Sequence, residues 1–239
     1  KGIGSYMFNK DFLYERSKYI NKRLYKLINA KNSHGRSDEY SPKTLDLLKN
    51  KNVEYLNGEY FLTKDLIIEN NYHLSKNKKL NINEGVNLIF KENVSLISEG
   101  SIFFNGSKNK PINIFGEDRK GSLVLLNNNY NFKNVNVKNL SYPINKSKIL
   151  HGGINIVDSN VIIIDMTIEK SNSEDAINII SSRSFIKNLK LKEITEDAID
   201  IDFGELIFEN IECKNISNDC LDVSGASING KSFQATNIG

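Results

Sequence analysis

A short sequence pattern recurs three times in the last third of the chain, always at the same interval. Asp175, Asp197 and Asp219 follow one another at steps of 22 residues. They stand in three similar segments, SEDAINI, TEDAIDI and SNDCLDV. A second alternating pattern keeps the same step in two series: Leu189, Ile211 and Phe233, and Leu191, Cys213 and Ala235. Two separate patterns with one period predict a repeat architecture, in which each repeat packs on the next.

The length of the repeat favours a parallel β-solenoid. Each 22-residue period contains two short alternating apolar runs and no segment of helical length. In a solenoid of stacked coils, equivalent residues lie about 4.8 Å apart and form rows along the axis. The period does not show the hairpin turns that a β-sandwich requires. The alternation predicts inner rows of apolar side chains: Ile177, Ile179, Ile199, Ile201, Phe203, Leu221 and Val223.

The pattern before residue 53 is helical rather than alternating. Between residues 9 and 30, apolar residues recur every three or four positions among many lysines and arginines, which predicts a basic amphipathic α-helix. A polar linker covers residues 31–40. Ser41 and Pro42 would then begin a short second helix that runs through Leu48.

These patterns divide the chain into two regions. We expect residues 1–52 to be a cap of the solenoid or a remnant of an upstream domain. The solenoid is expected over residues 53–239. It should end in mid-coil, because the aspartate that would follow Asp219 in the series falls beyond the last residue.

Composition excludes several classes of protein. The formal net charge of +3 comes from 32 basic and 29 acidic residues, which leaves no large basic excess for binding nucleic acid. No apolar run approaches the roughly 18 residues that a membrane-spanning helix needs, so no transmembrane segment is expected. Of the 239 residues, 35 are asparagine. Asparagine tolerates left-handed backbone conformations, so we expect many similar turns, although an AT-rich genome would raise the same count.

The two cysteines are too few for a disulfide framework or for a zinc cluster built from cysteine pairs. Cys213 takes the place of a leucine in one inner row, and Cys220 replaces Ala176 and Ala198 in a row of small residues. We therefore interpret both cysteines as small, space-filling core residues rather than nucleophiles.

Several stretches resemble a known superfamily: DAIDIDF, NDCLDVSG and LNINEGVNLIFKENVSLISEGSIFFNGSKNKPINIFG. This is the pectin-lyase-like superfamily of right-handed parallel β-helices, which includes polysaccharide lyases, polygalacturonases and sugar epimerases. The nearest likeness is to bacterial β-helix repeat proteins without assigned activity, some of which occur with CotH-type kinase domains. The likeness covers roughly residues 53–239 and implies a right-handed, single-stranded helix at or outside the cell surface. Polygalacturonases carry Gly-His-Gly and Arg-Ile-Lys signatures, and neither occurs in this sequence.

The outward row of the first repeating strand is acidic. It contains Asn178, Asp200 and Asp222, and Asp202 lies two residues after Asp200. Neighbouring carboxylates at this spacing repel each other by roughly 1 kcal/mol in water, so the row requires a raised pKa, a cation or a basic group nearby. From the coil and residue spacings, Asp202 and Asp222 should lie about 8 Å apart, within the window of inverting glycosidases. We therefore predict Asp200, Asp202 and Asp222 as candidate catalytic residues.

The same oxygen atoms could instead hold calcium, which takes six to eight oxygen ligands. The predicted ligands are Asn178, Asp200, Asp202 and Asp222. Lyases of the superfamily bind calcium and commonly use an arginine or lysine base. The nearest candidate for that base is Arg183, but it lies in the turn after the strand, so the lyase mechanism is unsupported. The alternative is a solvated acidic face without a ligand.

Other charged positions have simpler interpretations. On the second repeating strand, opposite charges stack and compensate each other, as in Lys190 over Glu212. Glu169 and Lys192 form a similar pair. The aspartates at the start of each first strand are predicted to cap turns through side-chain to backbone hydrogen bonds: Asp175, Asp197 and Asp219.

We therefore expect an extracellular or cell-surface protein that recognises a polysaccharide on its acidic outer face. In the catalytic version of this hypothesis, the acidic row provides lyase, glycoside hydrolase or epimerase activity, with calcium as the cofactor. The alternative is a non-catalytic structural or binding module. A groove walled by the loop between Asn139 and Gly152 would favour the enzyme, and a bare face would favour the module. No feature of the sequence indicates an oligomeric state.

Overall fold

The structure is a computed structural model that describes residues 44–142 and 150–239. These residues form a parallel β-solenoid of about eight turns with almost no helix. The amphipathic helix predicted between residues 9 and 30 lies outside the described residues. Two short 3₁₀ segments cover Leu47–Lys49 and Glu117–Arg119. The strands, in chain order, are β1 Thr44–Asp46, β2 Val53–Leu56, β3 Glu59–Leu62, β4 Leu66–Ile68, β5 Asn71–Leu74, β6 Lys79–Ile82, β7 Asn87–Phe90, β8 Ser95–Ser98, β9 Ser101–Asn105, β10 Ile112–Gly116, β11 Ser122–Leu126, β12 Asn129–Lys138, β13 Gly152–Val157, β14 Asn160–Glu169, β15 Asp175–Ile180, β16 Arg183–Ile194, β17 Asp197–Asp202, β18 Glu205–Phe208, β19 Ile211–Ile216, β20 Asp222–Ser224, β21 Ser227–Gly230 and β22 Phe233–Ile238.

Two sheets run along the solenoid. The first, named face A, has the strand order β1-β5-β8-β11-β13-β15-β17-β20. The second sheet has 14 strands and bends into two faces, because β12, β14 and β16 each continue around a corner. Face B1 holds β3, β6, β9, the first halves of these three long strands, β18 and β21. Face B2 holds β4, β7, β10, the second halves, β19 and β22.

The corner of the second sheet consists of stacked left-handed residues. Asn134, Asp165 and Asn188 have φ values of 49°, 56° and 57°. The strand pairing skips these residues, which lets the sheet turn between face B1 and face B2. In the described chain, nine of the 17 non-glycine residues with positive φ are asparagines. The predicted use of asparagine in repeated turns is thus confirmed, because its short polar side chain makes this conformation less costly than most others do.

The inner rows follow the predicted register. Ile177 and Ile199 are paired neighbours on face A, and Ile179 pairs with Ile201. All four side chains are fully buried. The alternation of the strands thus places one set of residues in the core and the intervening set outside. The right-handed sense of the helix stays a prediction from the resemblance.

Phe203 departs from this pattern. Its φ of 54° places it in a turn, level with Ser181, whose φ is 50°. The prediction that Phe203 belongs to an inner row is therefore wrong. The physical reason is that β17 ends at Asp202, so the two-residue alternation that buries Ile201 does not continue through the turn.

The first described strand also differs from expectation. Thr44–Asp46 is a strand that pairs with β5, and Leu47–Lys49 forms a 3₁₀ turn. The predicted second helix through Leu48 is therefore wrong over these residues. Pairing with β5 outweighs the local helix propensity of these residues. The Asp46 carboxylate accepts a hydrogen bond from the Leu48 amide at 3.0 Å. Across the described ranges, no helix has the length and apolar character needed to cross a membrane.

Candidate functional site

The acidic row lies on the outward side of face A, at the C-terminal end of the described solenoid. Asn178 pairs in register with Asp200, and Asp200 pairs with Asp222. Asp202 lies two residues further along β17 and pairs with Ile180. The structure therefore brings together the four predicted site residues in the predicted register, and we keep the name acidic row for them.

Burial changes sharply along the acidic row. Asn178 is only 3% exposed, although it points away from the solenoid core. Asp200 and Asp202 are half-buried, and Asp222 is exposed. The row thus passes from a buried end to a solvent-exposed end within three coils.

Asn178 links two carboxyl groups at the buried end. Its Nδ2 donates to Oδ2 of Asp175 at 2.7 Å and to Oδ2 of Asp200 at 3.2 Å. Asp175 is itself only 3% exposed. The Asn178 Oδ1 atom is buried and has no hydrogen-bond partner. An orphaned acceptor of this kind is costly in a folded protein.

Both linked carboxyl groups have raised pKa values. Burial, followed by the charges of Asp175, Asp202 and Asp222, raises the pKa of Asp200 to about 7. Burial raises the pKa of Asp175 to about 6, although its hydrogen bond from Asn178 acts in the opposite direction. Strongly perturbed carboxyl groups clustered on one outer face are a recognised sign of a functional site.

The predicted turn-capping aspartates have different roles. Asp197 Oδ1 accepts hydrogen bonds from the Asp219 amide and from Asn218 Nδ2, both at 2.8 Å, so its carboxylate bonds to backbone on the next coil rather than to its own turn. Asp175 instead accepts from the side chain of Asn178. Sequence analysis therefore missed Asp175 as a member of the site, although its position three residues before Asn178 in the repeat was visible.

A cleft of about 620 Å³ lies beside the start of β15 and β17. Its lining comes from the segments just before these strands and from the loop after β12: Tyr142, Asn172, Ser173, Glu174, Thr195 and Glu196. Tyr142 belongs to the loop between Asn139 and Gly152 that was expected to wall the acidic face, of which residues 143–149 lie outside the described chain. His151 Nδ1 is 2.8 Å from Glu174 Oε2 at this edge. The acidic face is thus flanked by a cleft.

The structure does not place Arg183 near the acidic row. Arg183 begins β16 on face B1, its side chain is 80% exposed, and its Nε lies 3.8 Å from Glu205 Oε2. Arg183 therefore does not supply a lyase base, because the corner after β15 turns the chain onto a different face. Within the described residues, no three His, Cys, Asp or Glu side chains are grouped closely enough to hold a metal ion.

A second groove, which sequence analysis missed, lies on face B2. Its volume is about 750 Å³, and Phe115 is part of its lining. Three asparagines form a ladder along it, in which Asn113 Nδ2 donates to Asn87 Oδ1 at 2.9 Å. Asn136 Nδ2 continues the ladder to Asn113 Oδ1 at 3.1 Å. The sequence signal for this groove is an asparagine between two buried residues in each of three successive strands of face B2.

The charged part of face B2 is as predicted. Lys190 Nζ lies 3.1 Å from Glu212 Oε2, and Lys192 Nζ lies 3.7 Å from Glu169 Oε1. These pairs lie on adjacent coils in register. The prediction that opposite charges compensate each other on this face is confirmed.

The cysteines form a bond that sequence analysis did not predict. Both are buried, as expected, but Cys213 and Cys220 are joined in a disulfide with their Cα atoms 6.0 Å apart. The interpretation of two separate space-filling residues is therefore wrong. Adjacent inner rows face the same narrow core on either side of one turn, which brings the two sulfur atoms together.

Comparison of the chain with protein-family models, with curated proteins and with solved structures found no match.

Proposed function

We propose that this protein binds a neutral polysaccharide along face A and hydrolyses it with the acidic row. Asp200 serves as the proton donor in this proposal. The observation that carries it is the pKa of about 7 at Asp200, within a row of carboxyl groups. A general acid is most effective when its pKa lies near the working pH. At neutral pH, roughly half of the molecules would hold the proton on Asp200.

Asp222 and Asp202 are the candidates for the base that activates water. Asp222 is the register neighbour of Asp200 and is exposed, so a water molecule can reach it. The spacing along a strand gives about 6.6 Å between Asp200 and Asp202, whereas the spacing between coils gives about 4.8 Å between Asp200 and Asp222. Inverting glycosidases hold their two carboxyl groups roughly 6.5–9.5 Å apart, to leave room for that water. Hydrolysis is favoured over a lyase reaction because Arg183 lies on another face.

The charge around the acidic row favours a neutral rather than an acidic glycan. Acidic side chains crowd the edge and outer side of the last three strands of face A: Glu174, Asp175, Glu196, Asp197, Asp200, Asp202, Asp219 and Asp222. A surface of one sign repels ligands of the same sign as they approach. A polymer of uronic acids would therefore bind poorly, and a neutral polymer would not be repelled.

The disulfide supports the expected location outside the cell. Disulfides persist mainly in secreted and surface proteins, because the cytosol keeps thiols reduced. The bond between Cys213 and Cys220 is therefore consistent with an extracellular or cell-surface protein. Membership of the pectin-lyase-like superfamily would agree with this location and stays a prediction from the sequence.

The proposal predicts that Asp200→Asn loses hydrolysis while keeping glycan binding. The amide keeps the size of the side chain but cannot donate a proton to the leaving oxygen. Release of reducing ends from a panel of neutral and uronic glycans measures this, and Asp219→Asn is the matched control on an exposed aspartate of the next coil. Thermal melts of both variants check that they fold.

Three results would contradict the proposal. The first is equal hydrolysis by the wild type and Asp200→Asn. The second is a preference for uronic glycans over neutral ones. The third is that no glycan of the panel is bound or cleaved.

A non-catalytic binding module is the second candidate, and the groove on face B2 favours it. The asparagine ladder offers amide donors and acceptors beside the ring of Phe115. Such a mixture of polar groups and an aromatic face is typical of ligand sites. Glycan binding that Asn136→Ala weakens, and that Asp200→Asn leaves unchanged in a protein without hydrolysis, would establish this function instead.

Calcium is a second ligand proposed for the acidic row, and it would have to draw the carboxylates together, because within the described residues they are not grouped closely enough to hold a metal ion. For an oxygen-only ligand set, the Asn178 amide must rotate so that Oδ1 replaces Nδ2 beside the carboxylates. Calcium would then compete with the proton on Asp200. A hundredfold excess over Kd should stabilise the fold by roughly 2.7 kcal/mol, seen as a rise in melting temperature. The double variant Asp200→Asn/Asp222→Asn should lose this response and be more stable than the wild type in chelator.

The calcium prediction has two contradicting outcomes. If calcium changes the melting temperature of neither protein, the acidic row does not bind it. If calcium raises both melting temperatures equally, the cation binds at another place.

A further inference from the structure

The outward side of face B1 carries a row of mostly apolar side chains. Phe103, Asn131, Ile162, Phe185 and Ile207 follow one another in register across β9, β12, β14, β16 and β18. We name these five residues the apolar row; Asn131 is its one polar member. Ile162 and Ile207 are each 43% exposed, and Phe103 and Phe185 are half-buried. Exposed apolar side chains that are contiguous, rather than scattered singly, mark an interaction surface.

The polar residues beside the apolar row alternate in sign. On one side, Arg183 pairs with Glu205 on the next coil, and their atoms lie 3.8 Å apart. On the other side, Lys187 Nζ lies 2.8 Å from Glu209 Oε2. Lys133 occupies the same outward position as Lys187 two coils earlier. The surface therefore has an apolar centre and edges that carry both signs of charge.

We propose that a second copy of this chain docks on face B1, with the two apolar rows packed against each other and the two solenoids antiparallel. A two-fold axis between β14 and β16, perpendicular to the solenoid axis, places Ile162 of each copy against Phe185 of the other. The same axis places Lys133 opposite Glu209 of the second copy. An interface related by a two-fold axis uses one patch twice, so this patch must be complementary to itself.

The positions of the charged residues on face B1 favour the antiparallel arrangement of the two copies. If the two-fold axis ran parallel to the solenoid axis instead, each coil would face the equivalent coil of the second copy. Arg183 would then meet Lys187 of the second copy, and Glu205 would meet Glu209. Like charges placed opposite one another across an interface are unfavourable. The antiparallel arrangement avoids both of these contacts.

The contact area determines how strongly the two copies are expected to associate. An overlap of six coils, from β9 to β21, is about 29 Å long, and five residues of each strand span about 16 Å. Each copy then contributes roughly 500 Å², or about 1,000 Å² in total, which is the lower limit for a specific interface. We therefore expect a weak dimer that forms as concentration rises.

Sedimentation equilibrium of the 239-residue chain tests the proposal, between about 1 and 200 μM. The average mass should rise from the 27.1 kDa of one chain towards twice that value. Ile162→Asp should weaken the dimer at least tenfold. The matched control is Ile67→Asp, an isoleucine that is 50% exposed on β4 of face B2 and should leave the dimer unchanged.

A charge exchange tests the arrangement itself. Glu209→Lys should weaken the dimer, and adding Lys133→Glu should restore it. Lys133 and Glu209 lie three coils apart in one chain, so a rescue can arise only between copies. The rescue is thus independent of any change in the folding of the single chain.

Four outcomes would overturn the proposal. One is a constant mass of one chain over the whole concentration range. Another is a dimer that Ile162→Asp leaves intact or that Ile67→Asp breaks equally. The third is a dimer in which Lys133→Glu does not rescue Glu209→Lys. The fourth is a monomer in which Ile162→Asp abolishes binding to a neutral glycan or to lipid vesicles, because the apolar row would then serve that ligand.

This proposal does not depend on the chemistry of the acidic row. Asp200→Asn, which tests hydrolysis on face A, should leave the dimer unchanged. Ile162→Asp should leave hydrolysis per chain unchanged. Failure of one proposal is therefore distinguishable from failure of the other.

Discussion

Ile199→Ala is expected to lower the free energy of unfolding by about 2 to 5 kcal/mol, the usual range for truncating a buried isoleucine. Ile199 is fully buried and stacks on Ile177 of the preceding coil. The backbone hydrogen bonds between coils hold the rows at fixed spacing, so the cavity left by the side chain cannot close. Urea unfolding followed by circular dichroism measures the change.

Ile199→Val is the matched control and should cost only about 0.5 to 1.5 kcal/mol, because it removes one methylene group. Both variants keep an apolar residue at position 199 in β17, and alanine removes much more of the side chain than valine does. A difference in the free energy of unfolding between them therefore reports the cavity. If both substitutions change the free energy of unfolding by less than about 0.5 kcal/mol, Ile199 faces solvent. The register deduced for all three coils would then be shifted by one residue.

The period of the sequence was sufficient to predict the stacking of the coils. Asp200 lies between Asn178 and Asp222 because the three positions are 22 residues apart, and each coil of the described repeat uses the same number of residues. Strand alternation then determines which side chains face inward. Neither step needs knowledge of loops or of long-range packing.

Turns were harder to predict than strands. The alternation around Ile201 gave no signal that the chain would leave the strand at Phe203. The sequence repeat also starts late, so it did not reveal that Thr44–Asp46 pairs with face A. In both places the local structure depends on contacts with a neighbouring coil. A local sequence pattern carries no information about those contacts.

The chemical state of the acidic row was not predictable from spacing. The spacing predicts outward residues on this face that are solvated or bind a ligand, yet Asn178 is almost completely buried. Burial of an outward position depends on what lies over the sheet, and this is set by distant segments. The same limitation hid the link between Cys213 and Cys220, which requires knowing how wide the core is at that coil.

The second large effect expected is a fall in stability as pH rises. In the folded protein the pKa of Asp200 is raised to about 7 and that of Asp175 to about 6, from 3.8 for an ordinary aspartate. The folded state therefore binds more protons than the unfolded state between about pH 4 and pH 7, and the free energy of unfolding decreases as these protons leave. Because solvent screens the half-buried Asp200, only part of these shifts counts towards stability. The melting temperature should drop by about 3 °C between pH 5 and pH 8, which corresponds to roughly 1 kcal/mol in a chain of this size.

Asp200→Asn should remove the part of this pH dependence that Asp200 contributes and leave the part from Asp175, because the amide has no proton to lose. It also removes one negative charge next to Asp175, Asp202 and Asp222, so Asp200→Asn should melt above the wild type at pH 8. Asp219→Asn, which removes one charge from an exposed side chain on the next coil, should keep the slope of the wild type. Thermal melts of the three proteins at pH 5, 6, 7 and 8 decide the matter. Equal slopes in all three would mean that Asp200 ionises as an ordinary surface carboxylate, and the proton-donor role proposed for it would lose its basis.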